Sequence, residues 1–211
     1  YSIDAANLTS YQNGATTAYS LTGSNDSTLT NGIAFDSNNG GSWNFDGVDD
    51  YITLASTITN TIYTLDFWYK MGANDGGYGY FVKAANGRGL AISEGGTAVG
   101  LSFGNFYYYN GSTAVKMTQS TLLTTGIWNK ISAIIDTSSN NIKVYINGVL
   151  DINQSVSGMS PDIFEIGRWN GAHYLNGSMA SFQVYNRALT AEEVLQNYNA
   201  TKSRYSDYTT A

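Results

Sequence analysis

Cysteine is absent from the 211 residues, so the fold cannot draw on disulfides, on zinc held by thiolates, or on a thiol nucleophile. Stability must come from a packed core. Proline occurs once, as Pro161, and histidine once, as His173. Charge is sparse: ten Lys and Arg against sixteen Asp and Glu leave a net of −6, and the basic residues are scattered from Lys70 to Arg204. That distribution lacks the phosphate-neutralising stripe a nucleic acid demands, so no nucleic-acid partner is expected. No run approaches the roughly 18 apolar residues that cross a bilayer, and no membrane insertion is expected. The chain opens on Tyr1 with neither an initiating Met nor a charged-then-apolar leader, from which we expect a soluble chain that is processed or excerpted.

Asn, Ser, Thr, Gly and Tyr dominate instead, a composition more usual on extracellular and virion surfaces than in cytosolic enzymes. The length suits one all-β domain over residues 1–211. Apolar residues recur at period two, the mark of half-buried strands. Tyr63, Leu65, Phe67 and Tyr69 fall on one face of such a strand, which should be core. Ile131, Ala133 and Ile135 alternate likewise, as do Ile142, Val144 and Ile146. Asn147-Gly148 follows, and because both central residues of a type I′ turn need φ > 0, this pair predicts a hairpin returning over 149–152. Further strands are expected near 42–45, 51–54, 80–83, 90–93, 99–103, 115–118, 163–166 and 178–185. One helix is expected near 190–199, followed by a tail over 200–211: Thr190 and Glu193 form a capping box, and Leu189 can staple onto Val194. The fold class is therefore all-β, a two-sheet antiparallel sandwich with one short C-terminal helix.

Three segments sharpen this: residues 40–52 (GGSWNFDGVDDYI), residues 126–131 (GIWNKI) running on to 144–148 (VYING), and residues 175–193 (LNGSMASFQVYNRALTAEE). In this order they resemble the laminin G and pentraxin-like branch of the concanavalin A-like lectin and glucanase superfamily, which implies a jelly roll. Residues 4–7 (DAAN) with 28–32 (TLTNG) are similar to a subgroup found in bacteriophage structural and bacterial surface proteins. Pentraxin-type members hold calcium with carboxylate-rich loops. Here the corresponding stretches read NGRG at 86–89 and GRWNG at 167–171, which leaves a hard cation few oxygen ligands. No metal or other cofactor is expected, calcium being the one candidate.

Glucanases of the superfamily use paired carboxylates about 5 Å apart on one strand. Glutamate occurs here only at Glu94, Glu165, Glu192 and Glu193, without that array, so catalytic residues are expected to be absent; only a convergence of Glu94 with Glu165 would change this. His173 has no Gly-x-Ser-x-Gly elbow to serve. Asp46, Asp49 and Asp50 could collect a cation, as could Asn74-Asp75-Gly76-Gly77, but Asp and Gly also build the Asx-turns that end strands. Aromatic groups gather near Tyr78 and Tyr80, in a turn at Phe106-Tyr107-Tyr108-Tyr109, and around Arg168, Trp169, His173 and Tyr174. Such side chains stack on sugar faces, and they also anchor protein interfaces. Arg168, Trp169, His173, Tyr174, Tyr107, Tyr108 and Tyr109 are the expected contact residues, for glycans, for copies of the chain or for other virion or surface proteins. If the loop at 167–171 has exchanged metal for contact recognition, Trp169 should stand exposed and offer its indole N–H to a partner; otherwise it folds back as core. The expected function is a non-catalytic structural and adhesion module of a virion, with a secreted bacterial carbohydrate-binding module or lectin as the alternative.

Overall fold

The computed structural model describes residues 1–73, 77–84, 87–95 and 102–205. In chain order the first strands are β1 (Ser2–Asp4), β2 (Thr17–Ala18), β3 (Ser27–Thr30), β4 (Ala34–Asp36) and β5 (Ser42–Asp46). The long pair β6 (Tyr51–Thr59) and β7 (Ile62–Met71) follows, then β8 (Gly77–Tyr80), β9 (Gly89–Glu94), β10 (Phe106–Tyr109) and β11 (Ala114–Lys116). The chain continues through β12 (Trp128–Asp136), β13 (Asn141–Ile146), β14 (Val149–Ser155), β15 (Asp162–Ile166), β16 (Asn176–Tyr185) and the helix α1 (Ala191–Tyr205).

One layer is an antiparallel sheet ordered β14-β13-β12-β7-β16-β5-β4, with β1 also paired to β16. The other layer is split into β11-β10-β9-β8 and β15-β6-β3-β2. Backbone bonds stitch the halves together: Lys83 N–H donates to Glu165 O, Phe164 N–H to Lys83 O, and Gly167 N–H to Tyr80 O. The expected two-sheet sandwich is thus present, with one of its sheets broken where Lys83 meets Glu165. Apolar side chains of both layers form a continuous core holding Trp43, Phe67, Phe81, Phe106 and Phe182. The Asn147-Gly148 hairpin forms as its sequence dictates, with φ of 53° and 82° at the two central residues.

Two sequence expectations need correction. The odd positions of β7 are core as expected, and Thr64, Asp66 and Trp68 on its other face are buried as well, because α1 lies over that face. The helix reaches Tyr205, so much of the expected tail is helical; Tyr205 stacks on Trp68 at 4.3 Å, and the Arg204 guanidinium donates to both Asp4 carboxylate oxygens. Phe106–Tyr109 is a strand and not a turn. Of the strand expected at 99–103, residues 99–101 lie outside the described residues and 102–103 carry no strand. Residues 74–76 of the candidate cation loop and Asn86 also lie outside them. The capping box is made as expected, with Thr190 N–H donating to Glu193 and Glu193 N–H to Thr190 Oγ1. Among the described residues no helix is long and apolar enough to cross a membrane.

Candidate functional site

The site lies where β15 runs into β16. Gly167 leaves β15 at φ 93°, where an added Cβ would come within 2.7 Å of the Phe45 ring, so the chain turns here only as glycine. Trp169 and Ala172 then exchange N–H···O bonds of 2.9 and 2.7 Å around Asn170 (φ 44°) and Gly171 (φ 71°), a second Asn-Gly turn of the same kind. Leu175 N–H closes the loop onto Gly167 O at 2.8 Å. The loop is therefore fixed by its own backbone.

Below it an ion triad of buried Lys83 and Glu165 with half-buried Arg168 holds the base. Glu165 accepts from Arg168 at 2.5 Å and from Lys83 Nζ at 2.9 Å, and the Arg168 guanidinium also lies 3.4 Å over the Tyr51 ring. Burial pushes the Glu165 pKa up, but hydrogen bonds and charges from Arg168 and Lys83 outweigh it and hold the carboxyl below its usual value. Glu165 is thus held toward its ionised form by its two ion-pair partners. Glu94 is wholly buried and accepts from Tyr69 Oη at 2.7 Å and Asn176 N–H at 3.0 Å. Glu165 therefore bonds Arg168 and Lys83, while Glu94 bonds Tyr69 and Asn176.

The expected contact residues divide accordingly. Trp169 is half-buried, 6.1 Å from Tyr80 in a stacked arrangement and 5.5 Å edge-on from Tyr109. Its indole N–H donates to Gly87 O at 2.6 Å, so it is not offered to a partner, and Gly87 is required because a Cβ there would sit 2.5 Å from that nitrogen. Trp169 is neither the free anchor nor the full core residue that the sequence left open. His173 is exposed, with ring centroids 5.3 Å from Trp169 and 5.6 Å from Tyr78; partial burial lowers its pKa, which disfavours its charged form. Tyr174 and Tyr109 are half-buried. Tyr107, buried under Tyr78 and Tyr80, supports the cluster from below. Tyr108 is wholly buried on the core side of the same strand, where its hydroxyl accepts from Ser160 N–H, so it is not a surface contact. Arg168 is committed to Glu165 and Tyr51 and positions the loop.

Beside these rings lies an open groove of about 330 Å³ lined by Tyr78, His173 and Tyr174 together with Asp46, Gly47, Val48, Gly77 and Asn176. Asp46 and Asn176 were not singled out as contacts in the sequence. Their signal was present only as register, since Asn176 pairs with Asp46 across β16 and β5. Asp46 builds the expected Asx-turn, accepting from Val48 and Asp49 N–H, and its own N–H donates to Asp50. The carboxylates of Asp46, Asp49 and Asp50 lie within 4.8 Å of one another. Burial, with the charges of Asp46 and Asp49 adding to it, pushes Asp50 up to about 6.

Among curated proteins nothing matches the sequence significantly. Among solved structures, the heptameric pentraxin of Limulus polyphemus matches 72% of this chain and 78% of its own at 16% identity and a TM-score of 0.57. The receptor-binding domain of botulinum neurotoxin type G matches at 16% identity over 94% of this chain and 50% of its own, with a TM-score of 0.64. A Bacteroides ovatus protein assigned to carbohydrate binding matches at 17% identity over 74% of this chain and 46% of its own, with a TM-score of 0.57. This chain spans about half the length of the last two. At these identities the likeness is one of fold alone. Residues 45–195 match the laminin G-type family of the concanavalin A-like lectin/glucanases superfamily, and to that family the chain belongs.

Proposed function

We propose that this domain is a non-catalytic glycan-binding module that holds a sugar at the groove lined by Tyr78, His173 and Tyr174, beside the Trp169 ring that packs on His173. The observation that carries the reading is a partly open aromatic cluster on a loop already fixed by internal bonds. Sugar rings present C–H faces that pack on such rings, while Asp46 and Asn176 along the groove can take hydroxyl hydrogen bonds. A pre-set loop spares the ordering entropy that a mobile one would lose on binding. The Bacteroides protein's assignment to carbohydrate binding and the toxin domains' receptor binding are in keeping with it. Binding here would be independent of calcium, because Arg168 and Trp169 stand where pentraxin-type ligands would be. The finer placement on a virion, or extracellularly, beside other surface proteins or copies of the chain draws on the polar composition and on residues 4–7 and 28–32. A regular particle containing the chain in negative-stain images would support it; recovery only as a free monomer would count against it.

The test is a glycan array read in EDTA and in millimolar calcium, followed by titration of the hits against Trp169→Ala and His173→Ala. His173 is exposed, so its variant should keep the wild-type melting temperature. We expect hits under both conditions and affinity at least about tenfold weaker in either variant, about 1.4 kcal/mol. An array without hits, or undiminished affinity in both folded variants, would overturn the reading.

A further inference from the structure

The groove combines an aromatic wall with an unbalanced field. Asp46 lines it, Asp49 is exposed beside it, and Asp50 stands behind the same turn. No ion pair among the described residues involves any of the three. The nearest cation in the sequence of the opposite loop, Arg168, is bound to Glu165 and covers Tyr51. His173, the remaining basic side chain on the groove, has its charged form disfavoured by partial burial. A ligand in this groove therefore meets aromatic faces, neutral hydrogen-bonding groups and carboxylates, with no compensating positive charge.

From this we infer that the groove selects by charge, taking neutral sugars and rejecting acidic ones such as sialic or uronic acids, with Asp46 and Asp49 as the specificity-determining residues. This rests on the glycan-binding reading above. Rejection by like charge is an economical route to specificity, because the unfavourable contact needs no new pocket. Two carboxylates about 6 Å from a ligand carboxylate, in a water-like medium, cost about tenfold in affinity.

Matched pairs separate the ideas: each neutral glycan and its sialylated or uronate counterpart, presented to the wild type and to an Asp46→Asn/Asp49→Asn variant, in EDTA. Asn preserves the Asx-turn acceptor at position 46, and a melting curve checks that the variant is folded. The expected result is that hits are neutral, that their acidic counterparts bind at least about tenfold more weakly, and that the variant narrows this gap by about tenfold, the gap being read within each protein so that a change in the Asp46 hydrogen bond common to both sugars cancels. Acidic glycans binding the wild type as well as neutral ones, or a gap that the variant leaves untouched, would overturn the charge inference and leave glycan binding standing. No binding in any pair would overturn both.

Discussion

Phe67→Ala is expected to lower stability by about 3–5 kcal/mol, the range for deleting a buried aromatic ring from a core. Phe67 is wholly buried in the middle of β7, stacked 5.5 Å from Phe182 of β16 and 4.9 Å from Phe81, which joins the opposite layer. Removing the ring opens a void between β7, β16 and the segment that follows β8, where Phe81 is locked by further aromatic contacts with Phe106 and with Tyr69. Small domains carry about 5–15 kcal/mol in all, so the variant should fold marginally or not at all. Urea denaturation of the purified variant measures the loss. An unchanged midpoint would mean that the faces of β7 are reversed.

Lys130→Met should cost a comparable amount, about 3–5 kcal/mol, for a different reason. Lys130 and Asp66 form an ion pair at 3.1 Å, with side chains only 4% and 0% exposed, between the large sheet and α1. Asp66 also accepts from Ser132 Oγ at 2.6 Å and from Asn197 Nδ2 on the helix at 3.1 Å. Burial pushes the Lys130 pKa down, against the attraction of Asp66. Removing the cation leaves a carboxylate buried without its counter-charge, so the cost comes from what is stranded. Lys130→Met combined with Asp66→Asn should therefore be more stable than Lys130→Met alone, because the stranded charge is gone. Denaturation of both variants decides this: a single variant within about 1 kcal/mol of wild type, or a double variant less stable than the single, would show that α1 does not seal this pair from water.

The same two residues mark the limit of what could be read from the chain. Alternation placed Tyr63, Leu65, Phe67 and Tyr69 in the core because a strand packed on one side obeys period two. It could not place Thr64 and Asp66, since a polar residue sealed beneath a helix has the same pattern as one facing water. The helix itself was legible at its start, where Thr190 and Glu193 cap it, and not at its end. No Gly or Pro stops it, and its last turn is held by tertiary contacts from Tyr205 and Arg204 to Trp68, Trp128 and Asp4. In the candidate site, Trp169, His173 and Tyr174 were visible as an aromatic cluster in a Gly- and Asn-rich loop. Tyr108 was misplaced because four consecutive aromatic residues conceal which face each takes until the strand is paired. Asp46 and Asn176 could be seen only once β5 and β16 were in register.

The central claim is that a sugar is held at the Trp169 end of the sandwich. The most direct test is the four tryptophan indole N–H resonances of the ¹⁵N-labelled protein, followed while a glycan from the array is added. Trp43 and Trp68 are buried in separate cores, Trp128 lies beneath Tyr205, and of the four only Trp169 packs against the aromatic cluster beside the groove, on His173. The account predicts that the Trp169 signal shifts on titration and saturates while the other three hold still. Shifts at Trp68 and Trp128 with Trp169 unmoved would contradict it and place the ligand at the helix side of the molecule.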